Sequence, residues 1–237
     1  MDTIKIKKQL GHRAAQFVQS GMIVGLGTGS TAECFIQSLV ERVKTEQLKI
    51  QAVASSERSA ELASSGGIPV LDLNEVSHID LTVDGADEID PQKRLIKGAG
   101  GALLREKILA FASRDVLIIA DESKLVNHLG KTKLPLEILS FGAAVTARNI
   151  ESLGYQGSWR PNTSNRPSFR LPRASQDLFL TDNGHLIFDL FFSQPLQHPE
   201  ELHEKLMQIP GILGTGFFFH LAQKVLIGYK DGRMDLT

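Results

Sequence analysis

The chain has 237 residues, which is enough to bury a substantial apolar interior and to hold one large domain or a core with a smaller domain appended. Its 26 lysine and arginine residues nearly balance its 27 aspartate and glutamate residues. No overall field would therefore recruit a nucleic acid or an anionic membrane, and an anionic ligand would have to be held by local charge. We expect a small-molecule ligand.

The single cysteine, Cys34, excludes an internal disulfide framework and suits a reducing compartment. Its place in a predicted helix favours a small core residue over a nucleophile. The first residues carry no apolar signal segment, and no apolar run approaches membrane-spanning length. These features predict a cytoplasmic protein without a membrane partner.

The first half of the chain alternates between predicted helices and predicted strands. Apolar periodicity and capping residues indicate helices at 4–20, 30–44, 57–65 and 101–112. Short apolar runs indicate strands at 22–26, 50–54, 79–83 and 116–120. Such alternation is typical of a parallel sheet covered by helices, so we predict an α/β fold with a Rossmann-like parallel sheet flanked by helices.

The pattern changes after residue 131, where we predict an inserted, smaller α+β domain at 131–204. The catalytic core would then comprise 1–130 and 205–237. Local signals predict, in chain order, a helix near 144–153, a long exposed Arg- and Pro-rich loop at 156–173, a hairpin turn at 182–184, a helix at 200–208, and strands at 217–221 and 225–229.

A glycine-rich turn follows the first predicted strand. Glycines at alternate positions of 25–31 let the backbone turn tightly, and the next helix presents free amide groups to a ligand. Ser30 replaces the third glycine of the dinucleotide fingerprint, and no lysine follows as in a P-loop. Phosphate binding and a structural turn with a helix cap use the same residues, so both interpretations stay open. The candidate ligand-binding residues are Thr28, Gly29, Ser30 and Thr31.

Four carboxylates, Asp84, Asp87, Glu88 and Asp90, form an acidic segment after the third predicted strand. Such oxygen ligands could bind a divalent cation, but their spacing does not match an EF-hand loop. We interpret Glu88 and Asp90 as solvated or capping residues. Asp84 is the better candidate because it ends an apolar strand, and ligands bind at that edge of open α/β sheets. Asp87 follows closely.

Other predicted strands end at the same edge. Gly25, Ser55 and Asp121 each stand where a strand ends, so four segments that include Asp84 are expected to converge there.

The predicted helix at 101–112 is apolar except for Arg105, Glu106 and Lys107, and Ser113 directly follows its end. Three consecutive helical positions span about 200° of arc, so at least one of these charges should point inward or into a cleft. Glu106 has apolar neighbours one turn away, which would raise the pKa of its carboxyl group towards that of a general base. Arg105 and Lys107 have similar neighbours, so a salt-bridge cluster of the trio stays an alternative.

Two lysines complete the set of candidates. Lys97 precedes the segment 98–101, Gly-Ala-Gly-Gly, whose flexible backbone suits binding of an oxyanion or a phosphate. Lys124 follows the strand at 116–120, where a solvated lysine is the default interpretation.

Taken in order, these segments resemble the A-type ribose-5-phosphate isomerases over nearly the whole chain. The resemblance rests on 27–31, 55–58, 84–88, 97–107, 121–124, 181–184 and 209–211. It implies an aldose–ketose isomerase of the pentose phosphate pathway that interconverts ribose 5-phosphate and ribulose 5-phosphate. It also implies that no cofactor or metal is needed and that the protein is a homo-oligomer, with a dimer favoured.

The resemblance also implies a role for each matched residue. Glu106 would be the general base that forms an enediol or enediolate, Asp84 would assist opening of the sugar ring, and Asp87 and Lys97 would hold and polarise the C1 and C2 oxygens. The substrate-binding residues would be Thr28, Gly29, Ser30, Thr31, Gly85, Ala86, Gly98, Ala99, Gly100 and Lys124. Two features depart from the family pattern: Ala99 stands where a glycine is usual, and the 156–173 stretch is longer than usual.

Two other functions compete with this interpretation. A sensor of the same fold class would bind a sugar phosphate without turning it over, but it has no need for a carboxylate inside an apolar helix. A divalent-metal phosphohydrolase would use the acidic segment and lose activity with a chelator, but the sequence has no clustered histidine ligands.

Overall fold

A computed structural model describes residues 2–163, 168–171 and 177–237. The helices are α1 (Thr3–Ala15), α2 (Ser30–Thr45), α3 (Glu57–Ser65), α4 (Leu103–Phe111), α5 (Ala143–Ser152) and α6 (Pro199–Met207). The strands are β1 (Ile23–Leu26), β2 (Gln51–Ala54), β3 (Ile79–Asp84), β4 (Glu88–Ile89), β5 (Leu95–Ile96), β6 (Ser113–Asp121), β7 (Leu134–Ile138), β8 (Gln156–Trp159), β9 (Ser168–Phe169), β10 (Leu178–Phe179), β11 (Leu186–Phe191), β12 (Ile212–Thr215), β13 (Phe217–Phe218), β14 (Lys224–Gly228) and β15 (Met234–Leu236). Of the helices in these ranges, none combines the length and the apolar character needed to cross a membrane.

The first compact unit comprises Met1–Ala86, Arg105–Leu125 and Phe218–Thr237. Its sheet has the strand order β15-β14-β6-β3-β1-β2, and all neighbours are parallel except the terminal pair β14 and β15. Strands buried on both faces read as continuous apolar runs, which is why these segments could be recognised from the sequence. The predicted α/β fold with a parallel sheet is confirmed.

Helices cover both faces of this sheet. Alternate strand residues point to opposite faces. On one face Leu26 and Ala52 pack with Leu10 of α1 and Phe35 of α2. On the other face Val53 packs with Ile79 and with Leu109 of α4. The helix α4 therefore lies on the opposite face of the sheet from α1 and α2. Its charged residues are carried by a helix that packs on the core.

The second compact unit comprises Asp87–Leu104 and Val126–Phe217. Its main sheet is antiparallel in the order β12-β7-β11-β8, and β4 pairs antiparallel with β5. The helices α5 and α6 belong to the same unit, so it is of the α+β type. The segment predicted as an inserted domain, 131–204, falls within this unit. Its predicted bounds stay a prediction, because compactness alone does not show that a segment folds independently.

Part of the predicted exposed loop at 156–173 is a strand. Gln156–Trp159 pairs with β11, and the Trp159 ring stacks edge-on against Phe188 at a centroid distance of 5.0 Å. Arg160 is buried. Ser168–Phe169 is also a strand and pairs with β10. The loop prediction is therefore wrong at both places, because short strands of exposed or half-exposed residues lack the apolar run that marks a buried strand. Residues 164–167 and 172–173 lie outside the described residues.

The turn at 182–184 is confirmed. The Thr181 N–H donates to the His185 carbonyl at 2.9 Å, and Gly184 has a φ of 75°, in the left-handed region that glycine adopts without strain. The first helix, in contrast, ends at Ala15, before the predicted residue 20.

Candidate active site

The glycine-rich turn connects β1 to α2 at the carboxyl edge of the first unit's sheet. Gly29 is the N-terminal cap of α2 with a φ of 104°, and it has no side chain that could accept hydrogen bonds from the first turn. The Thr28 hydroxyl lies 2.7 Å from the Ser55 hydroxyl at the end of β2. The amides of the first turn, which includes Ser30 and Thr31, are thus left for a ligand, and a helix N-terminus favours an anion.

Asp84 ends β3 and is buried, with 3% of its surface exposed. Its Oδ1 atom accepts hydrogen bonds from the backbone N–H groups of Thr28 at 3.1 Å and Gly85 at 2.7 Å. Backbone donors stabilise the ionised carboxylate and hold it in one orientation. The carboxylate is therefore fixed at the point where two neighbouring strands end.

Gly85 and Ala86 follow Asp84 and are half-exposed. A Cβ atom added at Gly85 would lie 4.0 Å from the Thr31 Cβ atom and 3.9 Å from the Ile119 carbonyl oxygen, which is ordinary van der Waals contact, so Gly85 lies next to the start of α2. Thr28, Thr31, Asp84 and Gly85 are thus brought together within the first unit, as predicted from the strand ends.

Lys7 was missed by the sequence analysis. Its Nζ atom donates a hydrogen bond of 2.8 Å to the Ser30 hydroxyl. The two helices that carry these residues touch at Gly11, where an added Cβ atom would lie 2.5 Å from the Cys34 carbonyl carbon. One turn earlier on each helix, this close approach places Lys7 beside Ser30. The sequence signal for this helix contact was Gly11 on the apolar face of α1. A glycine at such a position has many explanations, so it did not predict the contact.

Cys34 was predicted to be a small core residue. It is only half-buried, at this helix contact, so it does not lie fully inside the core. Burial raises the pKa of its thiol, while Lys7 and Lys8 act in the opposite direction. A thiol with a raised pKa is a poor nucleophile at neutral pH, which agrees with the expectation that Cys34 is not catalytic.

The three consecutive charged residues of α4 differ in how deeply they are buried. Glu106 is 4% exposed, whereas Arg105 and Lys107 are half-buried. The Lys107 ammonium lies 4.8 Å from the centre of the Phe218 ring. Desolvation lowers the pKa of Lys107 to about 8, and the neighbouring charge of Glu106 opposes this shift. Glu106 is therefore the carboxylate that α4 keeps away from bulk water.

Lys124 lies in a 3-10 turn (Glu122–Lys124) that directly follows β6. Asp121 caps this turn, because its carboxylate accepts a hydrogen bond from the Ser123 N–H at 3.0 Å. Lys124 is half-exposed, with its backbone fixed at the same carboxyl edge as Asp84. Its backbone therefore lies at the edge where the sequence predicts a ligand.

The remaining candidates belong to the second unit. Lys97 is buried, with 3% exposed, and its backbone N–H donates to the Gly216 carbonyl at 2.8 Å. Asp87 Oδ2 accepts a hydrogen bond of 2.9 Å from the Ala99 N–H. Gly98 is buried, while Ala99 and Gly100 are exposed. Asp87, Lys97 and the loop 98–101 thus form one local group.

Ala99 causes no strain in this loop. Gly98 and Gly101 have φ values of 102° and 84°, but Ala99 does not have a positive φ. A residue other than glycine is disfavoured only at positive φ, so the departure from the family pattern at Ala99 has no conformational cost.

Glu88 and Asp90 were interpreted as solvated or capping residues; both are buried, so the solvated interpretation is wrong, and both accept backbone N–H groups as capping residues do. Glu88 accepts hydrogen bonds from the backbone N–H groups of Gly130, at 2.8 Å, and Thr132. Asp90 accepts from the Arg94 backbone at 2.9 Å and pairs with the Arg94 guanidinium at 2.6 Å. Asp90 thus stabilises its own local turn, whereas Glu88 binds a segment more than 40 residues away.

The structure gives no support to a metal centre in the acidic segment. Within 2–163, 168–171 and 177–237, no group of three or more His, Cys, Asp or Glu side chains is placed to hold a metal ion. Asp84, Asp87, Glu88 and Asp90 instead each accept backbone N–H donors of their own.

The fold first defines a class: an α/β protein with buried carboxylates and a helix N-terminus at the carboxyl ends of parallel strands, the edge where open α/β sheets bind ligands. A family model described as ribose 5-phosphate isomerase A (phosphoriboisomerase A) matches residues 51–232. The ribose-5-phosphate isomerase A of Protochlamydia amoebophila is 46% identical over 230 residues, which are 97% of this chain and 94% of the relative.

Solved structures agree with this match. A ribose 5-phosphate isomerase from Plasmodium falciparum superposes with a TM-score of 0.89 at 34% identity, covering 99% of this chain and 98% of that one. A D-ribose-5-phosphate isomerase in complex with phospho-erythronic acid has a TM-score of 0.88 at 31% identity, covering 100% and 99%. The chain belongs to the ribose 5-phosphate isomerase A family, and it is an isomerase of the aldose–ketose type. The resemblance seen in the sequence is confirmed.

Proposed function

We propose that this isomerase interconverts D-ribose 5-phosphate and D-ribulose 5-phosphate through an enediolate, with Glu106 as general base and without a metal or organic cofactor. Family membership supports the substrate. The observation that carries the choice of base is the burial of Glu106, at 4% exposed, beside two cationic neighbours on α4. Of the trio, it is the carboxylate that can accept a proton from carbon.

The phosphate group would bind at the start of α2. It carries about −1.5 to −2 charges at neutral pH, and it needs several donors. The first turn of α2 offers backbone N–H groups, and the hydroxyl groups of Thr28, Ser30 and Thr31 are close by. Lys7 lies against Ser30 and adds a positive charge, and we assign Lys124 to the same task.

The chemistry would proceed in three steps. Asp84 assists opening of the furanose ring by relaying a hydroxyl proton. Glu106 then takes the proton from C2 while the C1 carbonyl gains the electron pair, which forms the enediolate. The C2 hydroxyl then gives its proton to the C1 oxyanion, and Glu106 returns its proton to C1 as the C2 oxygen becomes the carbonyl of the ketose.

Asp87 and Lys97 would hold the C1 and C2 oxygens. An ammonium stabilises negative charge that develops on these oxygens, and it does so more strongly when it is buried, as Lys97 is. The phospho-erythronic acid bound to a solved relative combines a phosphate with a carboxylate, whose two oxygens share one charge as those of an enediolate do. That likeness supports a site that binds a phosphate at one end and an enediolate-like anion at the other. Gly85, Ala86, Gly98, Ala99 and Gly100 would line the sugar.

We also propose a homodimer and a cytoplasmic location. Apolar side chains on and beside α5 of the second unit are exposed, including Phe141 at 87% and Val145 at 52%. Large apolar side chains exposed within four residues of each other suit a protein partner, and a second copy of the chain is the simplest one. The oligomeric mass in solution tests this assembly.

The test of the activity is conversion of ribose 5-phosphate to ribulose 5-phosphate in the presence of EDTA. We expect rapid conversion by the parent chain and a fall of about 10²- to 10⁴-fold in kcat for Glu106→Gln. Glu61→Gln, on the exposed face of α3, makes the same change of charge and should retain the parent rate.

Two outcomes would contradict the proposal. Loss of the parent activity with EDTA would indicate a metal-dependent reaction. No conversion by the parent, combined with protection against thermal unfolding by ribose 5-phosphate, would indicate a sensor that only binds the sugar phosphate.

A further inference from the structure

A buried arginine of the second unit contacts the loop that follows Lys97. Arg160 stands at the end of β8 with 8% of its surface exposed. Its backbone is fixed on both sides, because its N–H donates to the Ile187 carbonyl at 2.9 Å and its carbonyl accepts from the Phe179 N–H at 3.0 Å. A buried guanidinium needs partners for its donors, and these partners show what it is positioned to do.

One edge of the guanidinium is anchored on Asp189 of β11. The Arg160 Nε atom donates to Asp189 Oδ2 at 3.0 Å, and Nη2 donates to Oδ1. Such a two-pronged pair fixes the plane of the guanidinium as well as its position. Asp189 is 3% exposed, so the pair is protected from water, and Lys133 joins Asp189 from the more exposed side at 2.6 Å.

The other edge binds the loop. Arg160 Nη1 donates to the carbonyl oxygens of Gly98 and Ala99, each at 3.0 Å. The Gly98 carbonyl and the Ala99 N–H belong to one planar peptide group. The N–H of that group donates to Asp87 Oδ2 at 2.9 Å. This peptide group is therefore held between a cation at its oxygen and a carboxylate at its nitrogen.

We propose that Arg160 is a positioning residue of the active site, acting through the Gly98–Ala99 peptide group to orient Asp87 and the neighbouring Lys97. The inference rests on the proposed function, in which Asp87 and Lys97 contact the reacting oxygens. A rotation of the peptide would remove the donor that fixes Asp87. A displacement of about 1 Å at a reacting group can lower the rate about 100-fold.

The test compares three variants in the ribose 5-phosphate assay. Arg160→Met should lower kcat 10- to 100-fold and change KM less than threefold, because the proposed phosphate contacts lie on other residues. Arg160→Lys keeps the charge but has no planar fork, so its kcat should fall between those of Arg160→Met and the parent. Lys133→Met removes the other cation from Asp189 without touching the loop, and it should retain kcat within twofold.

A second measurement does not depend on turnover. Hydrogen exchange of the Ala99 amide, followed by NMR, should be at least 10-fold faster in Arg160→Met than in the parent or in Lys133→Met. A parent that does not convert ribose 5-phosphate would overturn the proposed function, while the exchange rate would still test the contact. If Arg160→Met fails to fold, Asp189→Asn takes its place, since it weakens the anchor and preserves its shape.

The inference is overturned if the Arg160 variants retain kcat within threefold of the parent. Equal loss of kcat in Lys133→Met would also overturn it, since the effect would then follow the charge balance around Asp189 and not the loop contact.

Discussion

Asp84 occupies the space that a side chain at Gly27 would need. A Cβ atom at Gly27 would lie 2.1 Å from Oδ1 and 2.2 Å from Cγ of Asp84. Because Gly27, directly after β1, has no side chain, the carboxylate of Asp84 at the end of β3 can accept from the Thr28 N–H. Two adjacent strand ends are coupled by this pair.

Gly27→Ala should therefore displace Asp84 and lower kcat at least about 100-fold. The matched control is Gly66→Ala, whose added methyl group would lie 2.1 Å from Val40 Cγ2, away from the site. It should lose stability but keep the parent kcat in the folded fraction. Steady-state kinetics and urea unfolding of both variants check this, and a Gly27→Ala enzyme with the parent kcat would contradict it.

The contact between α1 and α2 predicts an effect on substrate affinity. At Gly11 an added Cβ would meet backbone atoms of Cys34 and Phe35 at 2.5–2.6 Å, which cannot move as a side chain can. Gly11→Ala should push the helices apart, withdraw Lys7 from Ser30 and raise KM for ribose 5-phosphate about tenfold. Lys7→Met should reproduce the change in KM with little loss of stability.

Lys8→Met is the control for charge, because Lys8 neighbours Lys7 but is exposed. An equal rise in KM above the parent value in the Lys7 and Lys8 variants would show that general electrostatic attraction, and not the contact with Ser30, binds the phosphate.

Lys107 predicts a dependence of stability on pH. Burial lowers the pKa of its ammonium from 10.5 to about 8 in the folded state. Between these two values the unfolded chain binds a proton that the folded chain has released, so the free energy of unfolding gains a contribution that rises with pH. One pKa unit corresponds to about 1.4 kcal/mol, which sets an upper limit of about 3 kcal/mol.

The measurement is urea unfolding of the parent and of Lys107→Met at pH 6, 7, 8, 9 and 10. The stability of the parent relative to the variant should rise from pH 8 to pH 10 and change little below pH 7. A constant difference across this range would show that Lys107 is not desolvated.

Arg94 predicts an asymmetry between two ion pairs. It pairs with Asp90, whose side chain is fully buried, and with Glu200, whose side chain is 42% exposed. Removal of one partner from a buried pair leaves an uncompensated charge, so Arg94→Met should destabilise the fold by about 3 kcal/mol or more. Glu200→Gln should cost less than about 1 kcal/mol, as is usual for exposed pairs. Similar losses in urea unfolding for both variants would disprove the asymmetry.

The sequence by itself determined the elements that depend on neighbouring residues. The run at 22–44 predicted a strand, a tight turn and a helix, and β1 and α2 lie there. The apolar neighbours of Arg105, Glu106 and Lys107 one turn away predicted that at least one of these charges points inward, and Glu106 is the buried one. The acidic residue that ends β3 predicted a site at the sheet edge, since parallel strands bring their carboxyl ends to the same side.

Only the tertiary structure decided which distant side chains meet. Lys7 reaches Ser30 because two helices touch at a glycine, and Arg160 reaches Gly98 because β8 pairs with β11 beside Asp189. Glu88 was interpreted as solvated or capping, and its burial is favourable because its carboxylate accepts from the backbone N–H groups of Gly130 and Thr132, which lie 42 and 44 residues further along the chain. Such contacts join residues far apart in the chain. The free energy of these contacts depends on burial and geometry that exist only after folding. Local sequence patterns therefore do not predict them.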